Sequence, residues 1–228
     1  MIKRFLLALF LLFTLSPASV LASVFIDQAK LYPAETSYDV YRKGELIGSY
    51  RLMFEERSPS SLSVEVDMQL DMKVFALFRY QYRYTASEVW RDDQLTSLSV
   101  SIDSNGKKKS VTGRRENGSL MVTDADGRLH QYNGDLVTIH HWFDLMLKQQ
   151  ALLNTITGQI DQLSVESLGT ATLDLGDETI QLSHFSLGAD LDQTETWYDN
   201  QGRWRALKFN AKDGSVIQII WRGAKLIE

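Results

Sequence analysis

Apolar and polar residues alternate along much of this chain. Between Leu62 and Tyr84 nearly every even-numbered position is apolar or aromatic, whereas the odd-numbered positions up to Lys73 are polar or charged. A period of two predicts β-strands that bury one face and expose the other. Because this run is longer than an ordinary strand, it predicts a bend or hairpin near residues 73–77.

Asn-Gly and Asp-Gly pairs divide the rest of the chain at regular intervals. Such pairs tolerate the positive φ that tight hairpins require. They occur at positions 105–106, 117–118, 126–127, 133–134 and 213–214. The segments between them predict strands, at 95–102, 119–124, 128–133, 162–173, 179–187, 194–199, 203–210 and 215–222. This spacing favours an antiparallel meander.

One segment departs from the alternation. Ile139, Trp142, Phe143, Met146 and Leu147 follow the i, i+3, i+4, i+7, i+8 spacing that predicts an amphipathic helix over residues 139–150. The predicted fold is therefore mainly β: a large curved antiparallel meander, as an open barrel or half-barrel, with one packed α-helix. We expect the helix to cover a cavity or core.

The first residues predict export. Lys3 and Arg4 precede an apolar run from Phe5 to Leu15, and small residues follow up to Ala22. This is the pattern of a secretory signal peptide, so we expect a signal peptide over 1–22 and a single β-rich domain over 23–228. The apolar run is too short to cross a bilayer. The mature chain is expected to be soluble and periplasmic, with no transmembrane segment.

Charge and cysteine content limit the classes of partner and covalent link that we expect. The formal net charge is −5, which argues against nucleic acid as a partner, because phosphate binding rests largely on Lys and Arg. The chain has no cysteine, so neither a disulfide framework nor an acyl anchor is expected. The basic run at 107–115 could bind an anion, but a solvated hairpin is the favoured interpretation.

Two adjacent histidines are the most conspicuous titratable residues. His140 and His141 cannot chelate one metal by local geometry, because neighbours on a helix or strand point in different directions. We expect one beneath the helix, the other in solvent, and no metal. Neither a nucleophile elbow, a phosphate-binding loop nor a cysteine nucleophile occurs, so no catalytic residue or cofactor is predicted.

An aromatic ladder marks the expected ligand site. The even-numbered aromatic residues from 78 to 84 share one strand face, and buried tyrosine hydroxyls need hydrogen-bond partners, so this face could line a partly polar pocket. The predicted ligand-binding residues are Phe78, Tyr80, Tyr82, Tyr84, Trp90, Trp142, Phe143 and Met146.

Three local patterns resemble a known group of proteins. The residues are Tyr38, Val40, Gly44, Ile47 and Gly48, then Glu88, Trp90 and Leu95, then Tyr198, Asp199, Gly202 and Trp204. Together they resemble an uncharacterised family of exported, β-rich bacterial proteins over roughly residues 36–222. The resemblance implies a fold and a compartment and no catalytic residue. The expected shape is also similar to the lipoprotein-carrier half-barrels of the Gram-negative periplasm, in which a curved sheet encloses an apolar cavity.

Three functional hypotheses follow. The first is an exported non-enzymatic protein that binds an apolar or amphipathic ligand, such as a lipid, in a curved-sheet cavity. The second is an envelope scaffold or assembly protein recognised through a sheet edge or an aromatic patch, which predicts that Trp197, Trp204 and Trp221 are exposed together. The third is a hydrolase that uses His140 or His141 with an acid from elsewhere.

Overall fold

Fifteen β-strands form one antiparallel sheet in the structure, a computed structural model that describes residues 23–74, 78–211 and 213–227. The first eight strands are β1 (Glu35–Arg42), β2 (Glu45–Ser58), β3 (Ser61–Val74), β4 (Phe78–Arg91), β5 (Gln94–Ser104), β6 (Lys107–Glu116), β7 (Ser119–Thr123) and β8 (Leu129–Asn133). The others are β9 (Ala151–Leu153), β10 (Ile160–Asp174), β11 (Thr179–Ala189), β12 (Thr194–Asp199), β13 (Trp204–Asn210), β14 (Val216–Trp221) and β15 (Lys225–Ile227). One α-helix, α1 (Val24–Ala29), precedes them.

The sheet is built from two meanders that join side by side. Strands β1 to β8 pair in chain order, as do β10 to β14, and β14 pairs with β1. Loop contacts bring the two ends of the strand order together. The Ala125 amide donates to the Thr157 carbonyl oxygen at 2.9 Å, and the Tyr132 hydroxyl donates to the Gly158 carbonyl oxygen at 3.2 Å. The sheet therefore curls like a barrel without closing its ladder, and the predicted fold class is confirmed.

The hairpins follow the turn residues that the sequence offers. Asn105 and Gly106 have φ values of 53° and 86° between β5 and β6, as a two-residue turn with positive φ requires. Strands β3 and β4 pair from Ser61 with Arg91 to Val74 with Phe78, which confirms the predicted hairpin. Its connecting residues, 75–77, lie outside the described residues.

The α1 helix closes one end of the curled sheet. Phe25 stacks on Trp90, with ring centroids 4.2 Å apart, and lies 4.1 Å from the ring of Phe143. Asp93, in the β4–β5 turn, accepts hydrogen bonds from the Ser23 hydroxyl and from the amides of Val24 and Phe25. Because these two amides at the helix start have no partner within the helix, the carboxylate satisfies them and links α1 to the sheet. No helix in the described ranges is both long and apolar enough to cross a bilayer.

The predicted α-helix over residues 139–150 is wrong. The segment contains only a short 3₁₀ helix, Asp144–Lys148. Before it, Thr138 forms a parallel bridge with Leu153, and the Ile139 amide donates to the carbonyl oxygen of Leu153 at 3.1 Å. All side chains at positions 140–143 are buried. A helix that packs through one stripe would turn part of this run toward solvent, so the backbone instead follows the neighbouring strand.

Gly48 marks a close approach between two strands. It lies in β2 opposite Leu70 of β3, and a Cβ atom at this position would lie 2.0 Å from the Gln69 carbonyl oxygen. That oxygen belongs to the backbone and cannot rotate away. The glycine is therefore a packing requirement of the sheet and not part of the preceding turn, which uses Lys43 and Gly44.

Replacing Gly48 by alanine should destabilise the protein. We expect Gly48→Ala to lower the free energy of unfolding by about 1–3 kcal/mol, because the strands must separate locally to admit the methyl group. Urea unfolding measures this loss. The neighbouring substitution Ser49→Ala should change the value by less than about 0.5 kcal/mol, and equal effects of the two substitutions would contradict the close-approach argument.

Candidate functional site

An apolar cavity of about 510 Å³ opens at the mouth of the curled sheet. We call it the rim cavity. Its apolar walls come from strands of both meanders: Val40, Met68, Leu70, Met72, Phe209, Ile217 and Ile219. Tyr80 and Tyr82 complete one wall, and the ion-paired side chains of Arg42 and Asp213 lie at its edge. The volume falls within the range of about 300–1,000 Å³ that is usual for small-molecule sites.

A second, smaller cavity of about 140 Å³ adjoins the first. We call it the inner cavity. It shares Met68, Ile156, Phe209 and Ile219 with the rim cavity, so the two form neighbouring parts of one site. Its lining is more polar, because it includes the following side chains: Tyr50, Tyr84, His140, His141 and Thr155. The site is thus apolar toward the mouth and hydrogen-bonding at depth.

A buried chain of hydrogen bonds lies beside the inner cavity. Glu88, which is 0% exposed, accepts from or shares a proton with Nδ1 of His140 at 2.7 Å and accepts from Nε1 of Trp90 at 3.0 Å. On the other side of the ring, Nε2 of His140 lies 2.8 Å from the Tyr84 hydroxyl. The same hydroxyl lies 2.7 Å from Oγ1 of Thr155. This chain of hydrogen bonds ties β4 to the 139–150 segment and to the loop that follows β9.

The pKa of Glu88 is lowered despite its burial. Burial, the largest single influence, raises the pKa of this carboxyl group, but four lowering influences together outweigh it. They are the nearby charge and the hydrogen bond of His140 and the hydrogen bonds of Thr138 and Trp90. Glu88 is therefore ionised at neutral pH and is compensated by His140 inside the protein.

His141 occupies a different environment from His140. Its ring stacks on Trp204 at a centroid distance of 5.5 Å, and its Nδ1 lies 3.3 Å from Oγ1 of Thr196. Burial, followed by the nearby charge of His140, lowers the pKa of His141 to about 3. The expectation that one of the two histidines faces solvent is wrong, because both are buried: the backbone bends and turns here and does not form a helix with one solvent face.

The eight predicted ligand-binding residues fall into separate groups. Tyr80 and Tyr82 line the rim cavity and Tyr84 lines the inner cavity. The side chain of Phe78 lies outside the described residues. The remaining four pack in the hydrophobic core near α1 and line neither cavity: Trp90, Trp142, Phe143 and Met146.

Sequence reasoning predicted no site role for three polar residues at or beside the inner cavity: Glu88, Tyr50 and Thr155. Glu88 carries a visible signal, because it occupies an inward-facing even position of β4 between Ala86 and Trp90, where a carboxylate requires a partner. Its partner His140 is distant in sequence, so no local pattern could have identified the pair. Tyr50 and Thr155 carry no comparable signal.

The tryptophan patch that the scaffold hypothesis predicts does not form. Trp197 and Trp204 are buried at 0% and 1% exposure. Trp221 is half-buried beneath the guanidinium of Arg205, whose Cζ lies 3.3 Å from the ring centroid. The expectation that the three are exposed together is wrong, since each packs against the sheet.

The order carboxylate, imidazole, hydroxyl in the Glu88 chain is also the order of the groups in serine hydrolases. Here the terminal hydroxyls already bond to each other, and Thr155 is 0% exposed. Across the described parts of the chain, no group of three or more His, Asp or Glu residues is arranged to hold a metal ion.

Comparison with known proteins gives a family and a fold. The family model with the description Domain of unknown function (DUF6134) matches residues 38–222, more than half of the chain. The chain belongs to the DUF6134 family. This confirms the predicted resemblance to an uncharacterised β-rich family. No curated protein matches the sequence of this DUF6134 member.

Among solved structures, the DUF6134 chain is similar to a β-barrel-like protein of Domain of Unknown Function DUF1849 from Brucella abortus. The two share 9% sequence identity with a TM-score of 0.59, over 85% of this chain and 97% of that one. At this identity the likeness shows the fold alone.

Breaking the buried Glu88–His140 pair should cost far more than breaking an exposed one. We expect His140→Phe to lower the free energy of unfolding by about 3–5 kcal/mol, because Glu88 is left charged and uncompensated. The matched control is His184→Phe, whose Nε2 lies at the same 2.7 Å from Glu195 but in a partly exposed site. The control should lose about 1 kcal/mol or less. Urea unfolding at neutral pH compares them, and similar losses would contradict the role of burial.

His141 should make the protein less stable in acid. Its folded pKa of about 3 lies below the ordinary value of 6.5, so between these values the unfolded chain binds a proton that the folded protein does not. The free energy of unfolding should therefore fall as the pH falls from about 6.5 to about 3. In His141→Phe, which keeps a ring on Trp204, this fall should be smaller. Urea titrations across this pH range measure it, and parallel curves would contradict the assignment.

Proposed function

We propose that this DUF6134 protein binds an apolar or amphipathic ligand, such as a lipid, in the rim cavity. The observation that carries the proposal is the size and lining of that cavity, about 510 Å³ lined by apolar strand faces. Large apolar areas that remain open to water on a protein surface mark binding sites. Tyr80 and Tyr82 are the predicted ligand-binding residues that line it.

The walls favour a flexible apolar chain over a flat polar molecule. Met68 and Met72 are unbranched side chains that can adapt to irregular apolar ligands. The charged groups at the mouth, Arg42 and Asp213, neutralise each other. Affinity at the rim would thus come from burial of apolar surface, about 25 cal/mol for each Å² removed from water.

We further propose that the protein acts in the periplasm as a single β-rich domain over 23–228, after removal of a signal peptide over 1–22. The support is the pattern of the first residues, in which Lys3 and Arg4 precede an apolar run. The α1 helix begins directly after the expected cleavage position, with Ser23 as its N-cap. Edman sequencing of the exported protein tests the cleavage site.

A charge in the rim cavity should abolish ligand binding. The two substitutions Leu70→Glu and Gln69→Glu place the same charge at adjacent positions of β3, but only Leu70 faces the cavity. With a fluorescent fatty acid such as dansyl-undecanoic acid, we expect Leu70→Glu to weaken binding at least about ten-fold, because a carboxylate in an apolar site must lose its hydration. Gln69→Glu should change the affinity less than about two-fold.

Fluorescence titration gives both affinities, and urea unfolding verifies that each variant is folded. Native mass spectrometry and organic extraction of protein purified from periplasm test for a resident ligand. Failure of the wild-type protein to bind the probe, together with ligand-free preparations, would overturn the proposed function.

A further inference from the structure

Two polar groups at the inner cavity lack hydrogen-bond partners among the described residues. Tyr50 is 7% exposed and His141 is 9% exposed, and both line the inner cavity. Within the part of the chain that the structure describes, neither the Tyr50 hydroxyl nor Nε2 of His141 has a hydrogen-bond partner. Neighbouring polar groups of the same cavity, on Tyr84 and Thr155, are bonded to each other. The unpaired groups are therefore a local exception in a site whose other polar atoms are satisfied.

The rings of both residues contact the indole of Trp204. It stacks on His141 with an interplanar angle of 20°, and the edge of Tyr50 meets it at 76°, with centroid distances of 5.5 Å and 5.4 Å. The indole is itself fixed, because its Nε1 donates to the Ala206 carbonyl oxygen at 2.8 Å. The two polar groups therefore flank one rigid ring at the deep end of the site.

His141 leaves one ring nitrogen unpaired. Nδ1 lies 3.3 Å from Oγ1 of Thr196, so Nε2 is the ring nitrogen without a partner among the described residues. Burial keeps the ring neutral, with a pKa of about 3. A neutral imidazole carries one N–H and one lone pair, so Nε2 either donates or accepts, according to the tautomer.

The complementary ligand group is neutral and can both donate and accept. The Tyr50 hydroxyl can do either, and Nε2 of His141 does one or the other. A hydroxyl group can therefore pair with each of them in either tautomer. A carboxylate would instead bring a charge into a site where leaving a charge unpaired is expensive.

We propose that the inner cavity is a recognition site for the hydroxyl head of a long-chain amphiphile, held by Tyr50 and His141, with the chain extending into the rim cavity. This inference rests on the proposed function, because the rim cavity must hold the chain. A fatty acid binds more weakly, because the cationic side chains of both cavities are already paired, Arg42 with Asp213 and His140 with Glu88.

The test compares decanol with decanoic acid at about pH 7.5, where the acid is ionised. Binding is measured by displacement of dansyl-undecanoic acid from wild-type protein, Tyr50→Phe and His141→Phe. We expect wild type to prefer decanol, and each variant to lose about three-fold to ten-fold in decanol affinity with little change for decanoic acid. Tyr41→Phe is the control, since it removes the same atom from a strand of the sheet but Tyr41 lines neither cavity. It should leave decanol binding unchanged.

The outcomes separate this inference from the proposed function. If decanol binds and Leu70→Glu prevents it, but Tyr50→Phe and His141→Phe bind as wild type does, the head-group assignment is overturned and the proposed function stands. Those polar atoms would then be served by bound water. If neither decanol nor decanoic acid binds wild type, both proposals are overturned. Equal losses in Tyr41→Phe and Tyr50→Phe would also overturn the inference, because the effect would not be specific to the inner cavity.

Discussion

One constraint governs this protein: a single antiparallel sheet turns an apolar face inward along nearly all of its strands. Among the described residues, few other elements cover that face. Alternation of side chains makes the inner face apolar wherever the outer face is polar. The sheet reduces the exposed area by curling until loop contacts at Thr157 and Gly158 join its two ends. The short helix α1 and the 139–150 segment fill one end only. The rim cavity lies at the other end, which these two elements leave uncovered.

The filled end and the open end differ in how their polar groups are satisfied. Near α1, aromatic rings pack directly and the Glu88–His140 pair completes its own hydrogen bonds. This buried pair ties the irregular segment to β4, so the segment keeps its place without regular secondary structure. At the inner cavity, the Tyr50 hydroxyl and Nε2 of His141 remain without protein partners among the described residues. The site therefore has unpaired polar groups at the inner cavity and apolar side chains at the rim cavity.

Local patterns predicted the features that depend on local chemistry. The strands around Leu62 to Tyr84 and the Asn105–Gly106 hairpin follow from alternation and positive φ, which neighbours in sequence determine. The helix prediction failed because the spacing from Ile139 to Leu147 satisfies a helical stripe, whereas backbone bonds join the start of the segment to Leu153 and the rest forms a turn and a short 3₁₀ helix. The same limit applies to the site: Tyr80 and Tyr82 were predicted from one strand, but the opposite wall comes from β13 and β14, which no local pattern could bring to them.

The most direct test of the central claim is NMR of protein with methyl-labelled methionine during addition of decanol. Met68 and Met72 line the rim cavity, whereas Met146 lies in the filled core and Met121 lies on β7. If an apolar chain occupies the cavity, the methyl resonances of Met68 and Met72 should shift with saturable binding while those of Met121 and Met146 stay in place. Unchanged resonances of Met68 and Met72, or shifts led by Met121, would contradict the account.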